Sequence, residues 1–331
     1  MLAPSGHQFA IGIDIGGTST TFGVVDSRGE IKYRGALSTN KYDNVSDYID
    51  SLYEAVKPAI ALVNGNEQIR GIGIGAPNGN YYKGTIEYAP NLKWKGIIPL
   101  ADLITEKFGL PAALTNDANA AAVGEMMYGA ARGMKDFIMI TLGTGVGSGI
   151  VSNGQLIYGH DGFAGELGHT IIIPDGRMHP GTNMRGSLEV YASATGVKLT
   201  AIEMLTQFPQ QESMLRVYTA EEIDSRLVYE CAIQGDKIAN EVYKFTGQIL
   251  GKALANFVMF SSPEAIILFG GLCKAGDLIF KPTKEHMEEN LLPIFQNKVK
   301  LIYSELNEAD AAILGASALV WELKKISVPL G

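Results

Sequence analysis

Cysteine is almost missing from this 331-residue chain, which has only Cys231 and Cys273. That excludes a disulfide framework and a Cys-rich zinc or iron–sulfur centre, and it fits a reducing compartment. Positive charge is also short: 27 Lys and Arg stand against 35 Asp and Glu, a net charge of -8. Such a chain is a poor nonspecific binder of nucleic acid or of an anionic membrane surface. A phosphorylated ligand would have to be held by local groups and a metal. No run approaches the ~18 uninterrupted apolar residues of a membrane-spanning helix. Residues 1–7 lack the basic start and apolar core of a secretory leader, so the expected location is cytoplasmic. Charged residues make up only 19% against 46% hydrophobic. Wholesale disorder is thereby excluded, and there is apolar material for the two domains that the length suggests.

Glycine is abundant, at 39 residues. Its clusters at 12–23, 71–79, 143–149, 162–168 and 270–271 mark particular loops. Between them the pattern reads as short buried strands and amphipathic helices. Strands are expected at 9–15, 20–26 and 30–37 as an antiparallel meander. A helix over 46–63 follows, capped by Ser46 and kinked at Pro58. Next come a strand at 69–75, a helix over 98–108, a strand at 112–115 and an Ala-rich helix from Asn116-Asp117 to about 128. The second half repeats the plan, with strands at 137–142, 149–152 and 155–158 and a hairpin signal at Asn153-Gly154. Thr219-Ala-Glu-Glu222 reads as a capping box opening a helix. A long helix over 236–260, a strand at 265–269, a helix near 276–289, a strand at 299–303 and a last helix over 309–324 complete the chain. The fold class is α/β, one unit duplicated, and such duplicates commonly hold a ligand in the cleft between them.

Three familiar nucleotide motifs fail. GxxxxGK[ST] and the protein-kinase signatures are absent. Leu142-Gly-Thr-Gly-Val-Gly-Ser-Gly149 runs into a strand, whereas a dinucleotide-binding turn opens a helix. The remaining reading is a phosphate clamp of two β-hairpins. In Asp14-Ile-Gly-Gly-Thr18 and Gly143-Thr-Gly-Val-Gly147, glycine lets backbone N–H groups approach phosphate oxygens, and Thr18 and Thr144 add hydroxyl donors. Asp14 sits where it could hold Mg²⁺ through water. Either hairpin alone could be an ordinary tight turn, with Asp14 satisfying turn amides. Two at matching places in a duplicated unit favour the clamp. Asp117, at or beside the N-cap of the Ala-rich helix, could be a cap alone or a general base held by the cap geometry. Gly165-Glu-Leu-Gly-His169 and Glu189 supply carboxylates and an imidazole that could bind a polar ligand, or could be a surface Glu166, a core His169 and a Glu189 in the first turn of a helix.

The chain resembles the ROK family of sugar kinases and repressors, within the actin, hexokinase and heat-shock ATPase superfamily. The resemblance rests on Gly12-Ile-Asp-Ile-Gly-Gly-Thr18, Gly75-Ala-Pro-Asn-Gly79, Pro90-Asn-Leu-Lys-Trp94, Leu114-Thr-Asn-Asp-Ala-Asn-Ala-Ala121, Leu142-Gly-Thr-Gly-Val-Gly147, Gly165-Glu-Leu-Gly-His169, Leu188-Glu-Val-Tyr-Ala-Ser193 and Leu268-Phe-Gly-Gly271. These segments keep the family's order and cover nearly the whole chain, which looks most like the bacterial glucokinase branch. The resemblance implies a two-domain actin-like (ribonuclease H-like) ATPase fold with a cleft between the domains. The first domain comprises 1–116 plus 309–331, and the second 117–308. It further implies ATP-dependent phosphorylation of a hexose at its 6-hydroxyl, with glucose first. N-acetylmannosamine, N-acetylglucosamine, fructose and allose remain alternatives, as does a sugar-sensing regulator without catalysis. The regulator is disfavoured by the charge of -8 and by the few residues that precede the first strand.

By the same resemblance Asp117 is the catalytic base. Gly75, Asn91, Asn116, Glu166, His169 and Glu189 join it around the sugar. Asp14, Gly16, Gly17, Thr18, Thr144, Gly145, Gly270 and Gly271 serve ATP and Mg²⁺, and relatives are often homodimers or homotetramers. Many family members bind a structural zinc through a His and three Cys. The corresponding thiolate positions here are Pro180, Thr182 and Ser187, so no structural zinc is expected. His179 with His169 and Asp175 is a weak substitute set.

Overall fold

A computed structural model describes residues 7–322. The expectations for residues 1–6 and for 323–331, including the end of the last helix, lie outside the described residues. The elements in chain order are β1 Phe9–Ile15, β2 Ser19–Asp26, β3 Ile31–Ser38, α1 Val45–Leu62, β4 Ile69–Gly75, β5 Gly79–Asn80, β6 Thr85–Glu87, β7 Ile97–Ile98, α2 Leu100–Phe108, β8 Ala112–Thr115 and α3 Asp117–Tyr128. They continue as β9 Phe137–Leu142, β10 Val146–Ser152, β11 Gln155–Leu156, α4 Glu189–Ala192, α5 Ala194–Gln207, α6 Ser225–Ile233, α7 Lys237–Ser261, β12 Ala265–Phe269, α8 Asp277–Glu289, β13 Lys300–Tyr303 and α9 Glu308–Glu322.

Two five-stranded sheets carry the duplication, in the orders β3-β2-β1-β4-β8 and β11-β10-β9-β12-β13. In each, an antiparallel meander leads into strands paired in parallel on its first strand. A three-stranded sheet, β5-β6-β7, is added to the first half. The central strands are mostly apolar because helices cover both faces. Ile11, Ile13, Leu52, Val56, Ile72, Ile74 and Ile104 pack together in one core, and Ile138, Ile140, Val242, Leu250, Leu254 and Ile266 in another.

The last helix returns to the first sheet. Gly12 and Gly73 are partners across β1 and β4. A Cβ on either would collide with a carbonyl oxygen of α9, that of Ile313 or Ala316. Glycine thus makes a flat floor on which the α9 backbone rests directly. α3 crosses α9 at another close approach, where a Cβ on Gly124 would lie 2.8 Å from the Gly315 Cα.

Four local expectations change. The cap of α1 is Asn44, whose side chain accepts the Asp47 N–H, and not Ser46. Residues 97–98 form an edge strand, and α2 begins only after Pro99. The reciprocal bonds of the capping box form, with Thr219 N–H to Glu222 Oε2 at 2.8 Å and Glu222 N–H to Thr219 Oγ1 at 3.4 Å. They close a turn, however, and α6 starts later under the Asp224 cap. The third strand of the second meander ends at Leu156, short of the expected 158.

Candidate active site

Three parallel strands end together in the first sheet. Asp14 on β1 pairs with Gly75 on β4, and Gly75 pairs with Thr115 on β8. The chain then turns into α3, whose N-cap is Asn116; its side chain accepts the Asn119 N–H at 2.6 Å. Asp117 is therefore the first helical residue, not the cap, and its Oδ1 accepts the Ala118 N–H at 2.8 Å. Gly75 measures the space between the two carboxylates. A Cβ there would lie 3.4 Å from Asp14 Oδ1 and 3.7 Å from the Asp117 Cα. Burial pushes the Asp14 carboxyl up to about 7, and the nearby Asp117 adds to the rise. Asp117 is open to the cleft, yet it lies deep among protein atoms. That loss of water raises its carboxyl, the Ala118 N–H opposes the rise, and Glu166 reinforces it.

Glu166 acts on Asp117 from the second half, and His169 lies beside Glu166. Ser148 on β10 pins their loop, donating its hydroxyl to the Gly165 carbonyl and accepting the Leu167 N–H at 3.1 Å. His169 Nδ1 lies 3.1 Å from Glu166 Oε2, and this bond raises the imidazole, with Glu189 adding to the effect. Glu189 opens α4. Its Oε2 accepts the Val146 N–H at 2.7 Å in the β9–β10 hairpin, beside Gly145, where a Cβ would collide with the carboxylate. The predicted hydroxyl readers are thus joined electrostatically to Asp14 and Asp117.

The β1–β2 turn closes through Gly16 N–H to the Ser19 carbonyl, while the Thr18 carbonyl accepts the Thr39 N–H. Gly17 packs against Asn91, whose carbonyl oxygen would be 2.6 Å from a Cβ. Asn91 therefore lies at the predicted phosphate turn. On the other side, a cavity of about 720 Å³ is lined by Gly143, Thr144 and Gly271, with Arg226, Tyr229 and Lys274. Gly270 has φ +107, and its Cβ position lies 2.6 Å from the Leu142 carbonyl oxygen, so only glycine fits there. Gly145 faces Glu189 and is not among the cavity-lining residues. Sequence reasoning expected a helix here but missed that α6 brings Arg226 and Tyr229 to the cavity. A comparable cavity of about 750 Å³ lies elsewhere, between α5 and α7, and holds none of the predicted residues.

The loops flanking the predicted hydroxyl readers meet across the halves. Tyr81 stacks on Tyr158 with centroids 4.0 Å apart, and Asn80 Nδ2 donates to the Asp161 carbonyl at 2.8 Å. At the positions expected to lack zinc, the Ser187 Oγ is buried without a hydrogen-bond partner. Among the described residues no three His, Cys, Asp or Glu side chains converge to hold a metal.

Duplicated sheets with paired Gly turns and a carboxylate at a helix N-terminus define a phosphotransferase of the actin-like ATPase fold. The chain belongs to the ROK family, whose profile matches residues 10–322. It is 35% identical to the glucokinase of Halalkalibacterium halodurans, over 95% of this chain and 95% of that one. It is 33% identical to the glucokinase of Thermotoga maritima, over 94% of this chain and 97% of that one. Among solved structures, a ROK family glucokinase from Streptomyces griseus in complex with glucose and AMPPNP aligns with a TM-score of 0.77 at 31% identity, covering 95% of this chain and 99% of that one.

Proposed function

We propose that this protein is a hexose kinase that transfers the terminal phosphoryl group of ATP to the 6-hydroxyl of glucose. The observation that carries the reading is the Asp14–Asp117 pair at the carboxyl ends of parallel strands, with Glu166 acting on Asp117 and His169 beside Glu166. Asp117 takes the proton from the 6-hydroxyl. The sugar oxygen bonds to the terminal phosphorus as the bond to the ADP oxygen breaks. A carboxyl raised by burial is a better proton acceptor near neutral pH than an ordinary one. The Ala118 N–H fixes its rotamer without consuming both oxygens. Glu166, His169, Glu189, Asn91 and Asn116 hold the ring hydroxyls, with Gly75 leaving room beside them.

The turns at Gly16-Gly17-Thr18 and Thr144-Gly145 receive the phosphates, and the cavity lined by Gly271, Arg226 and Tyr229 receives the adenosine. The donor set suits a magnesium ion: Asp14 is a hard oxygen ligand, and its raised carboxyl reflects burial beside another carboxylate. Bound there, Mg²⁺ would neutralise charge on the transferring phosphates.

The halves 1–116 with 309–331, and 117–308, act as two domains that close on the sugar and exclude water, the competing acceptor. The return of α9 onto β1 and β4 supports that division. The chain has no helix, among the described residues, long and apolar enough to cross a membrane, and the proposed enzyme works in the cytoplasm. A regulator without catalysis is less favoured, because relatives at 33–35% identity across most of the chain are glucokinases. The test is ADP release with ATP and Mg²⁺ over glucose, N-acetylglucosamine, N-acetylmannosamine, fructose and allose. Turnover fastest with glucose is expected. Turnover fastest with another hexose replaces the substrate, and none with any hexose refutes the reading.

A further inference from the structure

Glu189 has a second partner that neither the phosphate turn nor the sugar supplies. Residues 174–186 fold into a small arm, closed by an antiparallel bridge between Met178 and Arg185 and by bonds from His179 N–H to the Met184 carbonyl at 2.8 Å and from Asn183 N–H to the His179 carbonyl at 3.0 Å. The His179 imidazole turns back over its own arm. Its Nδ1 accepts the N–H groups of Gly181 and Thr182, both at 3.1 Å. A nitrogen accepting two hydrogen bonds carries no proton, so the ring hydrogen of this tautomer sits on Nε2. Nε2 lies 2.9 Å from Glu189 Oε1. Both side chains are nearly buried, at 15% and 14% exposure, so the contact is shielded from competing water.

We propose that His179 is a positioning residue for the sugar site: its Nε2, 2.9 Å from Oε1, holds Glu189 in the orientation that receives a hexose hydroxyl. This inference rests on the hexose-kinase reading. The carboxylate is clamped from two sides, with Oε2 on the Val146 N–H of the β9–β10 hairpin and Oε1 on His179. Each oxygen keeps lone-pair capacity for a ligand hydroxyl. Without His179, Oε1 is free to rotate, and the sugar must order it on binding. The arm is anchored independently through Arg177. Its backbone N–H donates to the Tyr191 hydroxyl at 2.6 Å, and its guanidinium donates to the Val190 carbonyl at 2.7 Å and to Glu203. The loss of His179 leaves the exposed Gly181 and Thr182 N–H groups to water, while Arg177 keeps the arm in place, so the effect on the site falls on Glu189.

The test compares the full-length wild type with H179A and H179Q in the ADP-release assay. Glutamine can place its amide N–H₂ where Nε2–H stands, although it gives up the bonds to Gly181 and Thr182. The expected result for H179A is a KM for hexose raised about tenfold to a hundredfold, with kcat and the KM for ATP within about twofold, as for loss of one close polar contact to a charged group. H179Q should recover most of that loss. Nitrogen-15 NMR of the wild type should show His179 as the Nε2–H tautomer, which tests the idea even where a variant folds poorly. An unchanged hexose KM in folded H179A, equal losses for both substrates, no recovery in H179Q, or the opposite tautomer would each overturn it. If the wild type phosphorylates no hexose, the function reading fails and this inference with it. If the wild type turns over and only the H179A effect is missing, this inference alone fails.

Discussion

Replacing Asp14 by Asn removes a charge that the apoprotein holds at a cost. Burial, then Asp117, raises the Asp14 carboxyl from 3.8 to about 7. That difference corresponds to about 4 kcal/mol between the protonation states. The folded chain binds this proton more tightly than the unfolded chain does. The penalty is therefore absent below pH 3.8, grows through the interval, and is complete above about 7. Wild-type stability should fall as pH rises through that window. D14N, with no titrating group there, should not share the fall. Roughly 2–3 kcal/mol of the difference lies between pH 5 and pH 8. Urea unfolding of both proteins without ligand, at half-unit pH intervals, reads it directly. D14N should gain on the wild type with rising pH and level off above pH 7 to 8. Parallel curves would refute the placement of Asp14 as a desolvated carboxylate. Magnesium with a non-hydrolysable ATP analogue should then stabilise the wild type more than D14N, because the cation neutralises the charge that the apoprotein holds unpaired.

Three further outcomes are expected. D117N should lose ~10²–10⁴-fold in kcat while calorimetry shows hexose still bound, because Asn keeps an oxygen for the Ala118 N–H but accepts no proton; near-normal turnover would remove Asp117 from the role of base. G73A should destabilise the fold by about 1–3 kcal/mol or more, since its Cβ collides with the α9 backbone, and thermal unfolding with an unchanged midpoint would show that α9 does not rest there. Y229A should raise the KM for ATP roughly tenfold, as for losing about 1.5 kcal/mol of apolar contact. It should leave the hexose KM unchanged, which steady-state kinetics in both substrates will test.

Much of the backbone was legible. Phe9–Ile15, Ile69–Gly75 and Ala265–Phe269 are predominantly apolar runs of strand length with Gly at or after their ends, and they form the strands expected. The misreadings were local competitions. At Ile97–Ile98, pairing with β6 outcompeted helix propensity, and Pro99 fixed where α2 could begin. At Thr219–Glu222 the capping bonds formed without a helix, since a capping box specifies a turn and only the following residues decide whether it propagates. The motif residues in the Gly turns were also legible, because turn chemistry is written in neighbouring residues.

The composition alone excluded disulfides and a basic binding surface, and the repeated strand–Gly turn–strand pattern set the duplicated α/β plan. Both follow from residue types and short-range order, which need no tertiary information. Only the folded chain decided that α9 lies on Gly12 and Gly73, that α6 walls the proposed nucleotide cavity with Arg226 and Tyr229, and that Glu189 sits between Val146 and His179. The cavity wall and the α9 floor join residues far apart in sequence. The His179–Glu189 contact spans only ten positions, yet it too depends on a non-repetitive arm whose geometry no periodicity encodes. The raised carboxyls of Asp14 and Asp117 are likewise tertiary: each Asp is ordinary in its own segment, and its titration moves only when segments about 100 residues apart bring both deep among protein atoms.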